Sequence, residues 1–219
     1  MSWTAHSCFV TLAILFLWRV EEIAEACSCF PTHPQEAFCN SDIVIKAKVV
    51  GKQEIEVGNN IYGSPITRIR YDIKQIKMFK GPEQEIDAIF TAPYSSLCGV
   101  SLETNGQHYL ITGRIDSNGE VHVTLCNYIR PWETLSTTQE KSLTQHYEMG
   151  CDCKIIPCST IPCMTSSPAE CLWLDWVLEK TVNGKQAQNF SCIKRSDDSC
   201  AWYRGSEPPR KDFMDIEDP

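Results

Sequence analysis

No HExxH or other metal-ligand spacing joins His33, His108, His122 and His146, and no GxSxG nucleophile motif occurs in the 219 residues. Enzymatic hydrolysis therefore has no sequence support, and lone histidines of this kind read as structural. Regular CxxC pairs are also missing, although the chain holds 13 cysteines, which removes the usual pattern of a structural zinc site. The longest apolar run, Phe9 to Trp18, is shorter than the roughly 20 residues that cross a bilayer as a helix. Basic charge is scarce: 20 Lys and Arg stand against 28 Asp and Glu, a net charge of -8, which disfavours nucleic acid as the main partner.

What is present begins with that short run. Phe9 to Trp18 followed by Ala24-Glu25-Ala26 reads as a signal-peptide h-region and an A-x-A cleavage site, so residues 1–26 are read as a signal peptide without membrane insertion. The n-region is atypical, with only His6 to supply positive charge besides the amino terminus. Cleavage makes Cys27 the first residue of a secreted protein with a net charge of about -6, since Arg19, Glu21, Glu22 and Glu25 are lost. A new α-amine then sits on a half-cystine. Its pKa of about 7.7 to 8.0 leaves a useful neutral fraction near pH 7, able to donate a lone pair to a metal. The carbonyl of the same residue closes a five-membered chelate ring, and the two atoms fit the open position of a catalytic zinc in another protein.

Cysteine counting agrees with the cut. Cys8 leaves with the signal peptide, and the remaining even set divides into Cys27, Cys29, Cys39, Cys98, Cys126, Cys151 and Cys153, Cys158, Cys163, Cys171, Cys192, Cys200. This predicts two disulfide-stapled domains, residues 27–151 and 152–219, in an oxidising compartment. Counting leaves every connectivity within each set open. The second domain spans about 68 residues, a size at which a hydrophobic core alone is marginal and crosslinks compensate.

Apolar residues alternate at Ile43, Ile45, Ala47 and Val49, at Ile69, Tyr71 and Ile73, at Ile86, Ala88 and Phe90, and at Val121, Val123 and Leu125. Turn chemistry at Gly58-Asn59-Asn60 and Asn118-Gly119 predicts hairpins, and a small closed barrel is the economical way to protect such edges. Ser136 and Gln139 predict a capping box, with Leu143 and Tyr147 on one helical face and Gly150 as the stop. Leu172, Trp173, Leu174, Trp176 and Val177 form the densest apolar stretch of the last third and read as core. Arg68, Arg70, Lys74, Lys77 and Lys80 form a basic stretch, read as a solvated strand face, with a glycosaminoglycan contact as the alternative. The ending carries Asp212, Phe213, Met214, Asp215, Ile216, Glu217 and Asp218, an acidic tail whose interleaved apolar residues suggest a docking peptide. Asn189-Phe190-Ser191 is a glycosylation sequon.

Cys27-Ser28-Cys29-x-Pro31, Cys98-Gly99-Val100, Cys151-Asp152-Cys153, Cys171-Leu172-Trp173 and the stretch from Cys192 to Arg204 together resemble the tissue inhibitors of metalloproteinases over the whole mature chain. The Ile61-Tyr62-Gly63 hairpin, the Ile76 to Pro82 run and the ending Asp215 to Pro219 most resemble the second paralogue branch. The resemblance implies a mainly β fold with little helix. Its parts would be a five-stranded barrel of the oligonucleotide/oligosaccharide-binding type, the netrin-like module, and a small disulfide-rich carboxy-terminal domain. It also implies the pairs Cys27–Cys98, Cys29–Cys126, Cys39–Cys151, Cys153–Cys200, Cys158–Cys163 and Cys171–Cys192.

The same resemblance implies an inhibitor of zinc matrix metalloproteinases with no cofactor of its own. Cys27 to Pro31 would lie in the primed cleft, with Cys27 on the protease zinc and Ser28 in the S1′ pocket. Cys29, Phe30 and Tyr62 would also touch the enzyme, and Ser95, Ser96, Leu97 and Cys98 would fill the unprimed side. The acidic tail would dock the hemopexin-like domain of progelatinase A while a membrane-type metalloproteinase takes the inhibitory edge. Phe30 is bulky where the family usually has a small residue, and Tyr94 enlarges the connector beside the unprimed side. A non-inhibitory netrin-like module that binds matrix or a cell-surface receptor is the alternative, separated from the first reading by whether a free α-amine begins at Cys27.

Overall fold

The structure, a computed structural model, describes residues 27–204. The expected signal peptide 1–26 and the acidic tail, Asp212 to Asp218 included, lie outside the described residues. The described chain is mainly β. Two long strands, β1 (Ile43–Asn59) and β2 (Pro65–Lys80), pair antiparallel, and β3 (Ala88–Thr91), β4 (His108–Ile115), β5 (Val121–His122) and β6 (Ile129–Pro131) complete one sheet. Its order is β1-β2-β3-β5-β4-β6, and β1 also pairs with β4, so five strands close on themselves and β6 lies outside the ring.

Period-two alternation explains the two faces. Ile43, Ile45, Ala47 and Val49 of β1 point into the ring with Ile69, Tyr71, Ile73, Ile89, Tyr109, Ile111, Val121 and Val123. The intervening Val44 and Leu110 point outward and are covered by Phe38, Tyr128, Leu135, Leu143 and Tyr147. Of that outer layer, Phe38 belongs to α1 (Pro34–Cys39) and Leu143 to α2 (Thr137–Gln145), while Tyr128, Leu135 and Tyr147 come from the segments that flank α2 and precede it. The capping box at Ser136 and Gln139 is formed, but α2 stops at Gln145; Tyr147 is buried two residues beyond the helix, and a 3-10 turn runs over Glu148–Gly150. Ile86 precedes its strand but packs in the ring core, in β3 it is Ile89 rather than Ala88 or Phe90 that joins that core, and Leu125 follows its strand and is exposed.

The first hairpin also turns later than its glycine suggests. Gly58 sits at a register shift inside β1, and the turn itself runs from Asn60 to Ser64, where Gly63 has φ 78° and the Asn60 carboxamide accepts the N–H groups of Tyr62 and Ser64. The Asn118-Gly119 turn does join β4 to β5.

Residues beyond Cys151 build a third cluster from Ile155, Cys171, Trp173, Cys192 and Cys200. It is framed by the parallel pair β7 (Lys154–Pro157) and β8 (Glu170–Trp173), the antiparallel pair β9 (Phe190–Lys194) and β10 (Cys200–Arg204), and the short helices α3 (Asp175–Glu179) and α4 (Lys185–Asn189). Six disulfides close the chain: Cys27–Cys98, Cys29–Cys126, Cys39–Cys151, Cys153–Cys200, Cys158–Cys163 and Cys171–Cys192. None joins a cysteine of the first set to one of the second.

Hydrogen bonds make that connection instead. The fully buried Gln35 carboxamide donates to the Cys192 carbonyl at 2.6 Å and accepts the Cys192 N–H at 2.8 Å. Gln139 reaches the Asn183 side chain and the Ala187 carbonyl, and Ser142 meets Ser191. Gly150 is required at this junction by close approach, since a Cβ there would collide with the Cys192 carbonyl and the Gln35 amide. Replacing Gln35 by Ala leaves two backbone groups of Cys192 buried without partners, each costing about 1 to 3 kcal/mol. Gln35→Ala should therefore lower unfolding stability by about 3 kcal/mol in guanidinium titration with the disulfides intact; a loss below about 1 kcal/mol would show that this bond pair does not secure the junction.

Candidate functional site

Cys27 to Pro31 has no regular secondary structure, and its position is set by crosslinks rather than by a strand ladder. Cys27 is bound to Cys98 with Cα atoms 5.3 Å apart, and Cys29 to Cys126 at 5.2 Å. The sulfurs of Cys27, Cys29 and Cys126 lie within 4.8 Å of one another. Two neighbouring bridges thus fix a five-residue strip at both of its cysteines. The loops they close, 71 and 97 residues apart in sequence, each remove about 4 to 5 kcal/mol of denatured-state entropy in the chain-entropy account.

The receiving loops are braced in turn. Cys98 has φ 64°, a left-handed conformation that only surrounding contacts hold in a non-glycine residue. Its N–H donates to the Ser95 carbonyl, and the Tyr94 carbonyl accepts from both Leu97 and Gly99, winding Ser95–Leu97 into a 3-10 turn. Gly99 is obligatory because a Cβ would strike the Ala92 and Tyr94 carbonyls. The Leu125 N–H donates to the Cys98 carbonyl at 2.9 Å, tying the Cys126 loop to the same edge. Behind them Tyr71, fully buried in the ring, donates its hydroxyl to the Val100 carbonyl and accepts the Leu102 N–H, both at 3.1 Å. Core packing therefore sets the height of the edge.

Three segments meet here: Cys27 to Pro31, Tyr94 to Val100, and Thr124 to Asn127. Ser28, Cys29, Ser95 and Ser96 are exposed, and Phe30, Tyr94 and Leu97 are 75%, 63% and 60% accessible. Tyr62 is not among them. It stands 85% exposed at the end of the β1–β2 hairpin, whose outer half pairs only with itself in the sheet. Leu125 and Trp176 are additions that sequence reading placed elsewhere, the first in a strand and the second in a core. Both line a groove of about 350 Å3 running from Cys29, Phe30 and Pro31 past Arg130 to Val182. Within that apolar run only Trp173 is buried, Leu172, Leu174 and Val177 are half-buried and Trp176 is exposed, so the run is not the core its composition suggests, and only the fold reveals which residue faces outward.

The basic residues share the outward face of β2, where Lys74, Lys77 and Lys80 stand opposite Lys48, Lys46 and Val44 of β1, but three of the five are engaged. Arg68 makes a bidentate pair with Glu120 and lies over Phe90, Arg70 pairs with Asp72, and Lys80 donates to the Phe38 and Cys39 carbonyls. The glycosaminoglycan alternative loses those donors. Asp116, Glu120 and His122 also cluster, but Glu120 serves Arg68 and Asp116 caps its own turn through the N–H groups of Asn118 and Glu120. The cysteine clusters among the described residues are disulfides, without thiolates to offer a metal.

Immediately after the strip, His33 caps α1. Its Nδ1 accepts the Gln35 N–H at 3.2 Å, and its ring is enclosed by Trp173 at 5.4 Å and Trp202 at 5.3 Å. Burial lowers its pKa to about 3, so the ring stays neutral in the folded protein down to that pH. The unfolded chain binds a proton near pH 6.5 that the folded chain refuses. The contribution is complete above pH 6.5 and is lost at about 1.4 kcal/mol per pH unit as pH falls toward 3. His33→Asn keeps a cap acceptor without titrating, so its stability profile should be flatter than the parent's by that slope between pH 6.5 and about 3. Parallel profiles in urea melts across this range would remove His33 as the cause.

A disulfide-clamped strip laid on an exposed three-segment edge, carried by a closed β-ring, is a rigid surface of the kind a binding protein presents. The chain belongs to the tissue inhibitor of metalloproteinase family, which it matches over residues 25–202. It is 59% identical to "Metalloproteinase inhibitor 2" of Cavia porcellus and 58% identical to that of Homo sapiens, each over 220 residues and the full length of both chains. The Gallus gallus protein of the same name is 56% identical over 95% of this chain and 94% of its own. These relatives carry the names of inhibitors, not of enzymes.

Proposed function

We propose that the chain is a secreted inhibitor of zinc matrix metalloproteinases whose terminal Cys27 is the chelating group. The observation that carries this is the double clamp of Cys27 and Cys29 beside the exposed Ser95 to Leu97 turn. On this reading the five-stranded ring is an OB-type barrel of the netrin-like kind, residues 27–151 form the inhibitory domain, and residues 152–219 form a second one. The signal peptide is removed before Cys27, and the freed amine and carbonyl bind the protease zinc in place of its water. The enzyme loses its nucleophile. Ser28 enters the S1′ pocket, Cys29, Phe30 and Pro31 continue along the primed side, and Ser95, Ser96, Leu97 and Cys98 occupy the unprimed side. Because no peptide bond crosses the zinc, nothing is available to cleave. A clamped strip loses little conformational entropy on binding, which supports tight inhibition by a short contact.

One extra residue before Cys27, or acetylation of its amine, removes the donor lone pair without touching the bridges. Either change should abolish inhibition of an isolated metalloproteinase catalytic domain while circular dichroism stays the same. An extended, correctly crosslinked form with an unchanged inhibition constant would refute zinc chelation.

The tail supplies a second contact on this proposal. Residues Asp212 to Asp218 dock the hemopexin-like domain of progelatinase A, leaving the inhibitory edge free for a membrane-type metalloproteinase, so that one molecule bridges two enzymes. Exposed carboxylates chiefly raise association rates and are screened over about 8 to 10 Å at physiological salt. Deleting residues 212–219 should slow capture of the proenzyme, most at low salt, and leave catalytic-domain inhibition untouched. Surface plasmon resonance against both targets decides this: equal loss on the two, or none on either, excludes a dedicated docking tail.

A further inference from the structure

Asn189-Phe190-Ser191 straddles the end of α4 and the start of β9. Ala187, fully buried, faces α2, where Gln139 donates to its carbonyl and Ser136 to that of Gln188. At about 100° per residue, Asn189 is turned roughly 200° from Ala187 and points away from that packing. Its Nδ2 makes an exposed hydrogen bond to the Lys185 carbonyl at 2.7 Å. Across the β9–β10 ladder Phe190 is paired with Arg204, the residue from which segment 205–219 continues. Opposed residues in such a pair lie about 4.5 to 5.5 Å apart. One further Cα step of about 3.8 Å places Asn189 within about 10 Å of the root of that segment.

We infer that Asn189 carries an N-linked oligosaccharide, and that this glycan stands at the root of residues 205–219 and slows their access to a macromolecular partner. In the transfer, Nδ2 attacks C1 of a lipid-pyrophosphate-linked oligosaccharide. The C1–N bond forms, the C1–O bond breaks, the amide gives up one proton, and the lipid pyrophosphate leaves with the electron pair. One amide N–H remains, enough for the Lys185 carbonyl. Ser191, which the transfer machinery must read, is fully buried in the folded chain and bonded to Ser142 at 2.9 Å. Modification therefore precedes the docking of β9 and cannot be added to the finished fold. A bulky, hydrated chain anchored at Asn189 then covers approach directions to the acidic tail, whereas the edge at Cys27 to Pro31 belongs to other elements and is unaffected.

The access part of this inference rests on the docking role proposed for the tail; occupancy of Asn189 does not. Protein secreted from animal cells should lose the mass of an oligosaccharide on treatment with a peptide N-glycosidase, and Asn189→Gln should show no such loss. Capture by an immobilised hemopexin-like domain of progelatinase A should be about threefold faster for both the glycosidase-treated protein and Asn189→Gln, because freeing approach orientations acts on the on-rate. Inhibition of an isolated catalytic domain should be equal for all forms. No mass loss would overturn the site, and an occupied site with equal capture rates would overturn the shielding. If no form is captured at all, the docking reading and the shielding fall together, while the mass measurement still decides the glycan.

Discussion

The strip from Cys27 to Pro31 has no ladder of its own and is held by two adjacent crosslinks, on which the shape of the exposed edge depends. Cys27 and Cys29 have no strand neighbours to fix them, so their place is set by Cys98 and Cys126 alone. Those two cysteines sit in loops that would wander without the Leu125 to Cys98 hydrogen bond and the Tyr71 hydroxyl behind them. The order of dependence runs outward. A closed ring fixes Tyr71, Tyr71 fixes Val100 to Leu102, that stretch fixes Cys98, and Cys98 fixes Cys27.

The junction between the two sets of cysteines follows a different logic. No disulfide crosses it, and the contact relies on directional polar pairs whose members are fully buried, such as Gln35 with Cys192. Buried pairs of this kind are costly to leave half made, so they favour one docking geometry over many. His33 adds an apolar counterpart, a neutral ring between two tryptophans. The first helix is thus held on one side by the ring and on the other by the third core cluster.

Much of the fold was legible because period-two alternation is enforced wherever one sheet face is buried, as at Ile43, Ile45, Ala47 and Val49. The capping box at Ser136 was legible for a similar reason, being local in sequence. Reading failed where long-range contact overrode local chemistry. Gly58 looks like a turn residue but serves a bulge, and Gly150 looks like a helix stop but answers to Cys192, far away in the chain. Counting cysteines divided them into two sets, yet spacing alone offered no preference among partners, since pairing is decided by a fold that brings residues 27 and 98 together. In the candidate site, exposed Leu125 and Trp176 escaped notice because apolar residues in apolar runs give no sign that they face outward.

The outer half of the β1–β2 hairpin bonds only to itself. Residues beyond Ile55 on one strand and before Arg68 on the other can therefore be lengthened or shortened in pairs without changing the register of any strand in the ring. Ile61 and Tyr62 ride at the end of an arm whose reach is independent of the body that carries it. Variation in that reach is cheap for folding. A lineage, or a protein engineer, could alter how far this arm extends while the clamped strip at Cys27 stays in place.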